Sequence, residues 1–144
     1  MTEKEVSILD KLGVDVGTKV SHMKTITETD IIMFAGVSGD FNPVHICETY
    51  AKETFFGGRI AHGVIVLGLI SAAMTKLPGL VIFLSDSNRF LAPVRIGDTI
   101  TAIGEAINVR KDKGIVTLKV TCTNQKGEAV VEGEWAVRLY EAPL

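Results

Sequence analysis

From residue 116 onward the chain alternates. Val116, Leu118, Val120 and Cys122 fall on one face of an extended segment, and Thr117, Lys119, Thr121 and Thr123 fall on the other, the period of two expected of a half-buried strand. Ala129, Val131, Trp135, Val137 and Leu139 repeat the pattern against Glu132, Glu134 and Arg138, with Gln125–Glu128 as the hairpin turn between the two runs. Val81–Leu91 and Thr99–Val109 extend the series to four consecutive strands.

The first half of the chain reads differently. Thr18–Thr25 alternates loosely as an early strand, and Thr27 with Asp30 three residues on gives a capping-box start for a helix over Glu28–Val37. Within that helix Ile31, Phe34, Ala35 and Ser38 recur at helical spacing and predict an inward face. The run Ser38–Pro43 breaks it, and Ile46–Thr54 predicts a short second helix. After Gly57 and Gly58 the segment Gly63–Lys76 is apolar almost all round, the pattern of a helix wrapped by other structure. Pro78 and Gly79 end it. One strand, a helical block and then four strands predict an α+β domain in which an antiparallel sheet packs on the buried helix.

Composition narrows the classes of function. A chain of 144 residues with no repeat, low-complexity tract or linker reads as one domain, taken here as residues 18–144 behind an entry segment, 1–17, to which the sequence assigns no role. The net charge of −2, with Lys and Arg scattered, argues against nucleic acid as a partner. The most apolar stretch, Gly63–Met74, is well short of the roughly 20 residues that cross a bilayer, so no membrane partner is expected. The two cysteines, Cys47 and Cys122, form no CxxC pair, and the N-terminus lacks the basic, apolar and small-residue succession of a secretory signal. Cytoplasm is the expected compartment. An apolar fraction of 47% predicts either the buried helix or an oligomer interface.

The sharpest local chemistry lies in Ser38–His45, which sets Asp40 and His45 five residues apart on a loop stiffened by Pro43. A carboxylate and an imidazole aimed at one point can take a proton from a molecule and return it. The plainer reading is that Asp40 and Asn42 are turn residues closing a loop beside Gly39 and Pro43, and that His45 is a structural hydrogen-bonding group. Asp40, His45, Cys47 and His62 match no common zinc spacing, so no metal is expected. Ser71 lacks a nucleophile elbow and reads as a helix hydroxyl.

The run from Phe34 to Ala51, FAGVSGDFNPVHICETYA, resembles the signature of the R-specific (type 2) enoyl-CoA hydratases of the MaoC-like family. The likeness continues through FGGRIAHG from Phe56 to Gly63 and into the apolar helix, then to Phe90, Pro93, Val94, Gly97 and Asp98, covering residues 18 to 140 or so. The resemblance implies a hot-dog fold, an antiparallel sheet wrapped around a long central helix. It implies an enzyme, a lyase that hydrates trans-2-enoyl-CoA to (R)-3-hydroxyacyl-CoA, needing no cofactor because the CoA thioester is the substrate. Asp40 and His45 would activate one water and transfer its proton. The backbone N–H of Gly63 would hold the thioester oxyanion at a helix N-terminus, where amide hydrogens are free to do so. Asn42, His62 and Ser71 would be supporting residues. It further implies a homodimer or dimer of dimers. Two other readings of the same fold are a thioesterase that hydrolyses acyl-CoA and a non-catalytic module that binds acyl-CoA or an acyl carrier.

Overall fold

The computed structural model describes residues 6–143. Strands β1 (Lys19–Thr25), β2 (Leu80–Phe90), β3 (Thr99–Arg110), β4 (Ile115–Thr123) and β5 (Ala129–Tyr140) form one antiparallel sheet in the order β1-β3-β4-β5-β2. Each hairpin pairs neighbours in sequence, β3 with β4 and β4 with β5, while β1 and β2 close onto the two ends. The expected strand limits hold to within a residue or so.

The inner face of the sheet explains where its helix sits. On β3 the inward positions are Ile100, Ala102, Gly104 and Ala106, so the middle of the strand presents almost no side-chain bulk. Helix α5 (Gly63–Met74) lies in the resulting groove, with Val66, Ile70 and Ala73 buried. A Cβ on Gly104 would stand 2.7 Å from Met74 Cε and 3.3 Å from Val20 Cγ2, so glycine here leaves the space that the end of the Met74 side chain fills. Ile70, wholly buried, contributes about 2 kcal/mol through its side chain alone. The inward row of β4 (Val116, Leu118, Val120, Cys122) is entirely covered, and burial pushes the Cys122 thiol up to about 12, so it stays protonated.

Four details depart from the sequence pattern, each for a local reason. In β5, Val130 and Val131 are both buried, because Cys122 pairs with Val131 while Thr123 pairs with Ala129; the extra residue is a bulge. The Val130 carbonyl instead accepts from the Leu91 N–H at 2.9 Å. The second helix is divided into α3 (Pro43–Ile46) and α4 (Glu48–Lys52), since Cys47 is extended (φ −111°, ψ 105°) and ends one helix as it starts the other. In α2 (Glu28–Ser38), Ile31 and Ala35 face inward but Ser38 is exposed and donates its hydroxyl to the Phe34 carbonyl at 2.6 Å. The capping box is formed, with Thr27 Oγ1 accepting from the Asp30 N–H and Asp30 Oδ2 accepting from the Thr27 N–H. Last, α5 is not covered all round: Val64, Gly68 and Ser71 form a stripe open to solvent.

Before β1, helix α1 (Ile8–Leu12) packs on β5 and buries Leu9 completely. Among the described residues no helix is long and apolar enough to cross a membrane.

Candidate active site

Two short pieces of backbone build the site. In the first, α2 ends at Gly39, whose φ of 81° needs a residue without a Cβ. The chain then turns so that Asp40 Oδ1 accepts the Asn42 N–H at 3.2 Å and Asn42 Oδ1 accepts the Val44 N–H at 3.3 Å. Asn42 is thus the N-cap of α3, with Pro43 in the first turn, where its missing N–H costs nothing. The turn reading of Asp40 and Asn42 is therefore realised in the backbone, and it aims the Asp40 side chain into a cavity. The second piece, residues 59–62, runs beside α3. Ile60 donates its N–H to the Val44 carbonyl at 3.2 Å and accepts from His45 Nδ1 at 2.9 Å.

That last bond fixes a tautomer. A carbonyl can only accept, so Nδ1 of His45 carries the hydrogen and Nε2 of the neutral ring is a bare acceptor. Burial holds the His45 imidazole below the ordinary histidine value, helped by the neighbouring His62 and opposed by the Ile60 carbonyl and the Asp40 carboxylate. At neutral pH the ring is a base.

His62 is 1% exposed and lies between two rings, 4.0 Å from His45 and 4.8 Å from Phe34 between centroids. Its Nε2–H donates to the Asp40 backbone carbonyl at 2.9 Å, which ties the two pieces of the site together. Its Nδ1 is buried with no hydrogen-bond partner among the described residues. It makes no side-chain cap for α5, so its part in shaping this turn runs through Asp40 instead.

One carboxylate oxygen of Asp40 and one ring nitrogen each of His45 and His62 fall within 4.8 Å of one another. The trio is one that could in composition hold a metal ion. One nitrogen of each imidazole is already taken by a backbone carbonyl, Nδ1 of His45 by Ile60 and Nε2 of His62 by Asp40, which leaves one nitrogen on each ring.

These groups form one wall of a cavity of about 510 Å³. The other walls are apolar: Phe56 and Ile60, Val64 and Val66 of α5, Phe90 at the end of β2 with Leu91 through Val94 beyond it, and Val131 beside the β5 bulge. Gly63 opens α5 and lines the same cavity, and as the first helical residue its N–H has no partner within the helix. A Cβ on Gly63 would stand 2.9 Å from Cδ1 and Cε1 of Phe90, so glycine here serves the packing of that ring against the backbone.

Asp40, His45, His62 and Gly63 are brought together. Asn42 is spent on capping α3, and Ser71, two turns along α5, is exposed and does not line the cavity. Phe34 and Phe90 were read from sequence only as a helix position and part of the family likeness, and neither they nor the Ile60 carbonyl were among the expected site residues. A backbone carbonyl has no residue type to betray it, and Phe90 reaches Gly63 across 27 positions of chain with no local signal.

A model of the MaoC like domain matches residues 12–128. The chain is similar to an (R)-specific enoyl-CoA hydratase of Rhodospirillum rubrum, 48% identical over 84% of this chain and 85% of that protein. It is also similar to a 3-hydroxybutyryl-CoA dehydratase of Methylorubrum extorquens, 37% identical over 94% of this chain and 87% of the relative. Among solved structures, the (R)-hydratase of Aeromonas caviae involved in PHA biosynthesis superposes with a TM-score of 0.84 at 36% identity, covering 88% of this chain and 98% of that one. The helix seated in a curved antiparallel sheet is the hot-dog fold. The chain belongs to the family of MaoC-like domains.

Proposed function

We propose that this protein is a hydro-lyase, an (R)-specific enoyl-CoA hydratase that adds water to trans-2-enoyl-CoA and yields (R)-3-hydroxyacyl-CoA. The observation that carries the reading is the pair of acceptors, the Asp40 carboxylate and the neutral His45 ring, facing one apolar cavity within 4.8 Å of each other. A water hydrogen-bonded to both, with its hydrogens at the usual distances, needs acceptors about 4.5 Å apart. His45 Nε2 takes one proton as the water oxygen bonds to Cβ, and the electron pair of the double bond moves onto the thioester oxygen. The Gly63 N–H at the head of α5 holds that enolate. The proton on the imidazolium then passes to Cα, which restores the carbonyl and the neutral ring. Asp40 orients the water and offsets the transient positive charge. No cofactor enters this balance, because the CoA thioester supplies the activated carbonyl. The two cysteines, both free, fit a cytoplasmic setting.

Incubation with crotonyl-CoA and longer enoyl-CoAs tests the class: the conjugated absorbance falls and the alcohol formed is the R enantiomer. Release of free thiol from a saturated acyl-CoA, with the enoyl absorbance unchanged, overturns it in favour of a thioesterase. The same assay reads the base. Protonated His45 cannot accept from water, and its proton affinity is lowered, so kcat/KM stays level at neutral pH and falls on the acid side with a midpoint below the ordinary histidine value of about 6.5. A midpoint at or above that value contradicts the lowered proton affinity, and a profile with no acid limb removes His45 from the role.

A homodimer, or a dimer of dimers, is the proposed assembly. β2 is a sheet edge, and Leu80, Ile82, Phe83 and Leu84 on it are 41–49% exposed. Contiguous apolar surface on an unpaired edge is what a second copy covers. Sedimentation should give at least twice the 15.5 kDa of one chain, and Leu84→Lys should shift it to the single-chain mass. A wild-type protein that sediments as one chain at micromolar concentration contradicts the assembly.

A further inference from the structure

His45 sits on α3, a helix of four residues, far too short to hold a side chain in place by itself. Its ring is fixed by the Ile60 carbonyl, but that bond sets only one end of the imidazole. The peptide on which the ring is mounted must also be held if Nε2 is to keep its aim. The structure shows what holds it. Arg59 Nε donates to the His45 carbonyl at 2.6 Å, and the two terminal nitrogens of the same guanidinium fork onto Glu28 at 2.8 and 2.9 Å. The Arg59 side chain is 13% exposed, so the fork is largely shielded from competing water, although Glu28 itself is about half exposed.

Glu28 is the first residue of α2, the capped end of the helix whose other end leads into Asp40. One planar cation therefore ties the mounting of the base to the helix that delivers the carboxylate. It does so from the same short segment that supplies the Ile60 carbonyl and His62. The chain just before that segment is held in the same manner by Arg95, which donates to the carbonyls of Phe56 at 2.6 Å and Gly58 at 3.3 Å. A guanidinium suits this task because its donors lie in one rigid plane; a lysine ammonium has no such fork.

We propose that Arg59 is a positioning residue for the hydration reaction, acting through the His45 peptide and braced by Glu28. The inference rests on the assignment of His45 as the base. Arg59 lines no part of the cavity, so its loss should change kcat and leave KM within about twofold, whereas a small loss of aim is costly: about 30-fold to 100-fold in kcat for Arg59→Ala. Arg59→Lys should recover only part of that, and added ethylguanidine should raise the kcat of Arg59→Ala while doing nothing for the wild type.

A second readout does not depend on activity. Imidazole nitrogen NMR of the wild type should show His45 with its hydrogen on Nδ1, and Arg59→Ala should mix in the other tautomer. If the wild type does not hydrate crotonyl-CoA, the assignment of the base fails, and the NMR comparison still decides whether Arg59 orients the ring. A folded Arg59→Ala protein with kcat within twofold of wild type and an unchanged His45 tautomer overturns the proposal. If Arg59→Ala does not fold, the same two measurements on Arg59→Lys take its place: wild-type kcat and tautomer in that variant overturn the proposal equally.

Discussion

Asp40→Asn is expected to lower kcat for enoyl-CoA hydration by roughly 10³-fold while leaving the melting temperature where it was. The two halves of this expectation come from different oxygens. A carboxamide has the shape of the carboxylate, and its oxygen can still accept the Asn42 N–H that closes the turn, so the backbone of the loop keeps its course. What is lost is the negative charge beside an imidazole that must become positive during turnover. The imidazole that it serves is buried, so little solvent reaches the ring to take over that task, although Asp40 itself is open to water. Single-turnover absorbance measurements with crotonyl-CoA, alongside thermal unfolding followed by circular dichroism, read both halves. Turnover close to that of the parent protein removes Asp40 from the chemistry.

The second large effect concerns a backbone hydrogen, which ordinary side-chain replacement cannot delete. Proline at Gly63 deletes it, and the position tolerates proline unusually well. Residue 63 is the first of α5, where proline is favoured, and His62 before it already has φ −59° and ψ 124°, the conformation a following proline demands. The obstacle is Phe90, whose ring occupies the space of a Cβ. The informative comparison is therefore Gly63→Pro with Phe90→Ala against Phe90→Ala alone. Losing one oxyanion donor should cost the double variant about 10²- to 10³-fold in kcat relative to that reference, with KM little changed. Equal activity of the two proteins shows that the enolate is held elsewhere.

Much of the site was legible because it is local. Asp40, Asn42, Pro43 and His45 sit within six consecutive positions, and the turn chemistry that joins them is written in their residue types. The Thr27 and Asp30 cap and the alternation of β4 were legible for the same reason, each being a short periodic signal. What escaped was decided across the fold. The bulge at Val130 goes with a carbonyl claimed by Leu91, the residue just past the end of β2. Cys47 is extended although its neighbours on both sides are helical. The polar stripe position Ser71 reads as core hydroxyl from its apolar neighbours, yet it faces outward, because the sheet covers only one side of α5. The Arg59 fork joins residues 31 positions apart through a guanidinium that looks, in sequence, like any surface charge.

The seat of α5 on Gly104 has a consequence for how this protein can change. The amide that opens the helix and the Met74 side chain that docks at its other end belong to one stiff rod of 12 residues. A bulkier residue 104 would meet the pliant end of Met74 first, but any change that slides the rod itself carries the amide of Gly63 with it. Displacement of the helix is thus felt as misalignment at the mouth of the cavity, and thermal softening of the core should erode turnover at temperatures where the chain still holds its secondary structure.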